Sequence, residues 1–154
     1  TVVRLGQERG EAAEKRHVHR DEDGRGYVLP LAGEAVGQPP HQLSQKVAMI
    51  NGVDICGQIA RQFRKEDMLE FDKIYVMDKS NLKNVKQMSG AYWDESKVDL
   101  FLNELYPGGN QDVPDPWYGE EDGYHEVYRL IGKACDKIIE KYSSIQNSKF
   151  KIQK

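Results

Sequence analysis

Apolar side chains recur at helical spacing in the last third of the chain. Tyr124, Val127, Tyr128, Ile131, Cys135, Ile138 and Tyr142 fall on one stripe, as a helix that buries one face requires. Glu120, Glu121 and Asp122 stand at its start, and Lys137 and Lys141 near its expected end, where the helix dipole favours each charge. Ser143–Lys154 reads as a polar, basic tail that frays. Upstream, Lys73-Ile74-Tyr75-Val76-Met77 is a run that suits a buried strand, stopped by Asp78. Asp78 or Ser80 would cap a helix over Asn81–Gln87. Leu43, Val47, Ala48 and Ile50 mark another helical face, with Gly52 as its C-terminal cap. Lys65–Phe71 predicts a helical turn or two, Lys97–Leu102 a strand with a helix as the alternative, and Pro107-Gly108-Gly109-Asn110 a turn. Val53–Cys56 is a short apolar run.

The pattern weakens before Gly37. Thr1–Leu5 and Tyr27–Leu31 suit short strands and Glu11–Arg20 a short helix, amid mixed charges and glycines. Strands alternating with helices predict an α/β fold with a mainly parallel sheet. Residues 1–142 read as a single domain, followed by the tail at 143–154.

The 154 residues suffice for one domain with a real core. Hydrophobic residues make up 38%, charged residues 31%, and the net charge is −3, a balance that gives no pull toward nucleic acid or an anionic membrane. No apolar run approaches the roughly 20 residues of a membrane span, and the first residues lack a signal-peptide core. Cys56 and Cys135 are the two cysteines. They make no disulfide framework, which points to the reducing cytoplasm.

Candidate chemistry concentrates in Val113-Pro114-Asp115-Pro116-Trp117-Tyr118-Gly119. One carboxylate lies between two prolines, which stiffen its backbone, and two aromatic rings follow. Such a loop suits an acid that meets a leaving group from a fixed direction, with Trp117 and Tyr118 walling a slot for a flat substrate. Taken alone it also reads as a Pro-rich surface turn with its aromatics tucked inward. His17-Val18-His19, with Asp21, Glu22 and Asp23, lacks a fixed third metal ligand and reads as a solvated charged segment. His41 and His125 read as surface or cap residues. No metal or other cofactor is expected.

Four segments in register resemble the low molecular weight protein tyrosine phosphatases. They are Gly37-Gln38-Pro39-Pro40-His41, Gly57-Gln58-Ile59-Ala60-Arg61-Gln62-Phe63, Met77-Asp78-Lys79-Ser80-Asn81-Leu82 and Asp115-Pro116-Trp117-Tyr118-Gly119. Order and spacing agree from Gly37 to about Tyr142. The resemblance implies a four-stranded parallel sheet flanked by helices in three layers, and a two-step hydrolysis of phosphotyrosine. In that chemistry a cysteine thiolate attacks phosphorus while an aspartic acid protonates the leaving phenolate. Water then releases phosphate from the phosphocysteine, with the aspartate as base. The resemblance assigns the acid/base role to Asp115 and the aromatic wall to Trp117 and Tyr118, with Asp78, Ser80 and Asn81 in support. It implies a phosphotyrosine protein or small aryl phosphate as partner, and a monomer or weak dimer.

The family's nucleophile sits in C-x5-R-S. An anion nest at a helix N-terminus helps lower the thiol's pKa, and the arginine grips two phosphate oxygens. Gln62 stands six positions after Cys56, and Lys141 six after Cys135, so neither cysteine fits. Both read as small buried residues. Residues 2–14 bear a likeness to the missing loop: Leu5-Gly6 and Ala12-Ala13-Glu14 align once one position is deleted. That places Arg4 at the nucleophile, Arg9 at the second cysteine and Gly10 at the arginine. Glu34 stands where many members carry a substrate-facing aromatic. The expectation is a phosphatase-like protein with impaired catalysis, by divergence or by an altered reading frame upstream of Gly37. A non-catalytic binding module and a related arsenate reductase are the alternatives, the second disfavoured by the Asp-Pro-Trp-Tyr-Gly loop.

Overall fold

The computed structural model describes residues 3–5, 27–28 and 36–151, and for residues 3–5, 27–28, 118 and 143–151 the backbone alone. The helix expected over Glu11–Arg20, the His17-Val18-His19 segment and Glu34 lie outside the described residues.

The centre of the fold is the pair β4 (Lys73–Val76) and β5 (Val98–Leu100). They run parallel, with Ile74 beside Val98 and Val76 beside Leu100. Successive side chains of a strand point to opposite faces, and both faces of β4 are covered. Ile74 and Val76 pack with Phe63, Met68, Phe71, Val85, Val98 and Leu100. Tyr75 turns the other way, onto Phe101, Leu102, Ala134 and Ile138. Burial on both sides explains the continuous Ile-Tyr-Val run, since a strand with one wet face would alternate.

The helix α3 (Lys79–Ser89) joins the two strands. The Asp78 carboxylate accepts from the Asn81 backbone N–H at 2.6 Å, which caps the helix, and Gly90 ends it at φ 52°, a conformation that favours glycine. Capping at Asp78 carries the helix further in both directions than the expected Asn81–Gln87. The strand expected over Lys97–Leu102 is shorter, because Phe101–Glu104 tightens into a 3-10 turn. The helix α1 (Gln42–Ile50) buries Val47 and Ala48 and packs against α4 (Glu121–Lys151). α4 continues past Ser143 to Lys151, beyond the expected start of a frayed tail, so Lys137 and Lys141 stand within the helix and not at its end. Among the described residues no helix is long and apolar enough to cross a membrane.

Three short strands lie outside the central pair. β1 (Val3–Leu5) pairs with β4, but antiparallel, with Arg4 beside Ile74. β2 (Tyr27–Val28) pairs in parallel with β3 (Ile59–Ala60). Among the described residues the strands therefore form a three-stranded sheet in the order β1-β4-β5 and a separate two-stranded one, where sequence predicts a single parallel sheet. β3 has no sequence signal of its own. Two residues are too few for a period, and the pairing of Gly37 and Gln38 with Ala60, at 2.7 and 3.0 Å, comes from far along the chain. α2 (Asp67–Glu70) occupies the turn expected over Lys65–Phe71.

Candidate functional site

The proline-flanked loop is fixed at its start and closed by its own turn. At its start the Val113 N–H donates to the Met77 carbonyl at 2.7 Å, which ties the loop to the end of β4. Asp112 Oδ1 accepts from the Lys79 N–H at 3.1 Å, so the same segment touches the first turn of α3. Just upstream, the Asn103 side chain bonds Asp99 Oδ1 at 2.6 Å and receives the Asn110 N–H at 2.9 Å, which folds the Pro107–Asn110 turn back onto β5. Gly109 packs closely there: a Cβ would begin 3.0 Å from the Tyr106 carbonyl oxygen, a tight contact.

Asp115 is extended (φ −90°, ψ 113°), as a residue before proline must be. Its Oδ1 accepts from the Trp117 N–H at 2.9 Å, and residues Pro116–Tyr118 close a 3-10 turn behind it. The carboxylate is exposed. The loop thus presents Asp115 outward on a stiff backbone, with its orientation set by its own turn.

Trp117 is not tucked inward: 60% of it is exposed. Its ring makes an edge-type contact with His41 at 4.9 Å between centroids, and His41 also stacks on Tyr124 at 5.3 Å. Burial, and secondarily the charge of Asp115, raise the Tyr124 pKa. Asp115, Trp117, His41 and Tyr124 therefore form one cluster where the loop, the start of α1 and the start of α4 converge. Of Tyr118 only the backbone is described. A second tie joins the two helices, where Lys46 Nζ meets Glu121 Oε2 at 2.6 Å, with His125 beside Glu121 at 3.7 Å. Sequence reasoning places Asp115 and Trp117 together but misses His41 and Tyr124 as their neighbours. His41 does fill the cap role expected for it, its Nδ1 accepting from the Leu43 N–H at 3.3 Å. Its ring contacts reach 76 and 83 positions along the chain and leave no local signal.

The two thiols are unlike nucleophiles. Cys56 is exposed, which corrects the expectation of a buried residue: the Asp54–Cys56 stretch turns outward, with the Cys56 N–H on Asp54 Oδ1 at 2.9 Å. The hydrogen bond to the Asp54 carboxylate raises the Cys56 pKa, whereas a nucleophilic cysteine needs it lowered. Cys135 packs on the Tyr75 face of the sheet, and burial raises its pKa too. Asp78, which the resemblance places in support of the site, caps α3.

The model of the family described as low molecular weight phosphotyrosine protein phosphatase matches residues 11–149. The low molecular weight protein-tyrosine-phosphatase YfkJ of Bacillus subtilis is 31% identical over 77% of this chain and 72% of its own length. The Gallus gallus low molecular weight phosphotyrosine protein phosphatase is 34% identical over 69% of this chain and 66% of its own. The chain spans about two thirds of the length of such curated relatives. Among solved structures, YfkJ superposes with a TM-score of 0.64 over 77% of this chain and 71% of that one. Vibrio vulnificus Wzb, solved in complex with benzylphosphonate, gives 0.65 at 25% identity, covering 73% of this chain and 76% of that one. Matched over most of its length by the family's model and alike in backbone to its members, the chain belongs to the low molecular weight phosphotyrosine protein phosphatase family.

Proposed function

We propose that this protein binds aryl phosphates or phosphotyrosine proteins, keeps the proton donor of phosphoester cleavage at Asp115, and turns over weakly for want of a thiolate. The observation that carries the reading is an outward-facing, stiffly held Asp115 in a chain whose two thiols both have raised pKa values. Trp117 supplies an exposed ring beside that acid. Membership of the family supports the substrate class, and benzylphosphonate in the Vibrio vulnificus relative supports an aromatic ring held one atom from the phosphorus, as in an aryl phosphate. The same resemblance supports a single domain over residues 1–142 with the family's four-stranded, three-layer core. Cysteine usage supports a cytoplasmic setting.

Chemically, Asp115 would give its proton to the departing phenolate oxygen, which lowers the barrier to P–O cleavage. Attack on phosphorus needs a separate nucleophile, and loss of a covalent nucleophile costs several powers of ten in rate. Binding without turnover is the second reading, favoured by the same raised thiols.

The test is hydrolysis of p-nitrophenyl phosphate by the chain beside its Asp115→Ala variant, with phenylphosphonate binding measured in parallel. Turnover near the buffer rate in both proteins supports the proposal. Robust turnover by the starting chain, lost in Asp115→Ala, contradicts the impairment and leaves the acid role standing.

A further inference from the structure

We infer that His41 is a positioning residue for the loop that bears Asp115, holding it through Trp117 against the starts of α1 and α4. Three observations converge. The imidazole meets two rings, in edge-type contact with Trp117 (61° between planes) and stacked on Tyr124 (19°). Its Nδ1 is fixed by the Leu43 N–H, so the ring is anchored to α1 by a second, independent contact. Trp117 is largely exposed, and the loop around it is tied at Asp112 and Val113, by its own turn, and by packing of that turn on the start of α4. The contact with His41 therefore restrains the segment carrying Asp115 from outside that segment. Edge-to-face and offset ring pairs prefer this separation, and orientation of the acid decides how efficiently it meets a leaving group. The catalytic side of this inference rests on reading Asp115 as the proton donor; the structural side does not.

Substitutions at His41 can separate its cap from its ring. His41→Asn keeps a good helix cap and removes the ring; His41→Phe does the reverse. The chain is labelled with 5-fluorotryptophan and read by fluorine NMR without ligand, with Trp93 as the internal monitor of the fold and Trp117 assigned by Trp117→Phe. The expected result is that His41→Asn moves the Trp117 resonance toward that of free 5-fluorotryptophan and leaves Trp93 in place, while His41→Phe keeps Trp117 displaced from the free position. An unmoved Trp117 in His41→Asn overturns the inference, as does the same shift in both variants or a matching shift of Trp93. Where the chain shows turnover, His41→Asn should slow phenyl phosphate about tenfold more than p-nitrophenyl phosphate, because the poorer leaving group depends more on its acid. An equal loss on both substrates overturns the catalytic side. Failure of the phosphatase reading shows differently: phenylphosphonate does not bind the chain, yet the fluorine shift persists.

Discussion

Asp67 is a carboxylate with no exposed surface, and its neighbours show how the chain tolerates that. Arg61 donates to both of its oxygens, at 2.8 and 2.7 Å, and the Arg64 N–H adds a third bond at 2.8 Å. Removing one partner of a buried pair leaves the other charge uncompensated. Arg61→Ala should therefore cost about 3 kcal/mol in urea unfolding, and a loss near zero would contradict this account of the pair. At the thiols, iodoacetamide should alkylate Cys56 no faster at neutral pH than an unperturbed exposed cysteine. Its pKa is raised by Asp54, and only the thiolate reacts. A markedly faster reaction would mean an activated thiol. Asp115 was legible from sequence because prolines on both sides dictate its backbone. Cys56 was misread because exposure depends on which way a loop turns, and residue type alone does not settle that.

Between elements, the 3-10 turn after β5 is clasped to α4. Glu104 Oε1 accepts from the Tyr75 hydroxyl at 2.6 Å and from Lys141 Nζ at 2.7 Å. Burial disfavours the Glu104 charge, but the two donations outweigh it and its pKa is lowered. A carboxylate with a depressed folded-state pKa adds stability above its unfolded value, about 4.3, and loses it as pH falls through the folded value. Glu104→Gln should therefore cost about 1–2 kcal/mol at neutral pH and flatten the decline of thermal stability below about pH 4.3. Parallel acid limbs in the two proteins would contradict this. The helix itself was plain from its stripe, and sequence narrowed the cap of α3 to Asp78 or Ser80, of which the structure uses Asp78. The clasp was not, because Glu104 lies 29 positions from Tyr75 and 37 from Lys141, beyond the reach of any periodicity. The expected role of Lys141 at a helix end fails for the same reason: a polar tail carries no signal that the helix continues.

At the scale of the molecule, the part of the chain from Gly37 onward folds around β4 and β5 with both faces covered, and it carries the acid loop. Its parallel strands were legible because buried β-branched and aromatic runs are dense there. The arrangement of β1 was not: Val3–Leu5 has strand character, but its antiparallel pairing depends on the path of the chain and not on propensity. On the proposed reading, this is a phosphatase-family protein whose proton donor stands without an activated sulfur opposite it. The most direct measurement is acid quenching of the chain during incubation with p-nitrophenyl phosphate, followed by intact-mass and peptide mass spectrometry of both thiols. The account predicts unmodified Cys56 and Cys135. A phosphoryl adduct on either, formed at a rate that depends on Asp115, would contradict it.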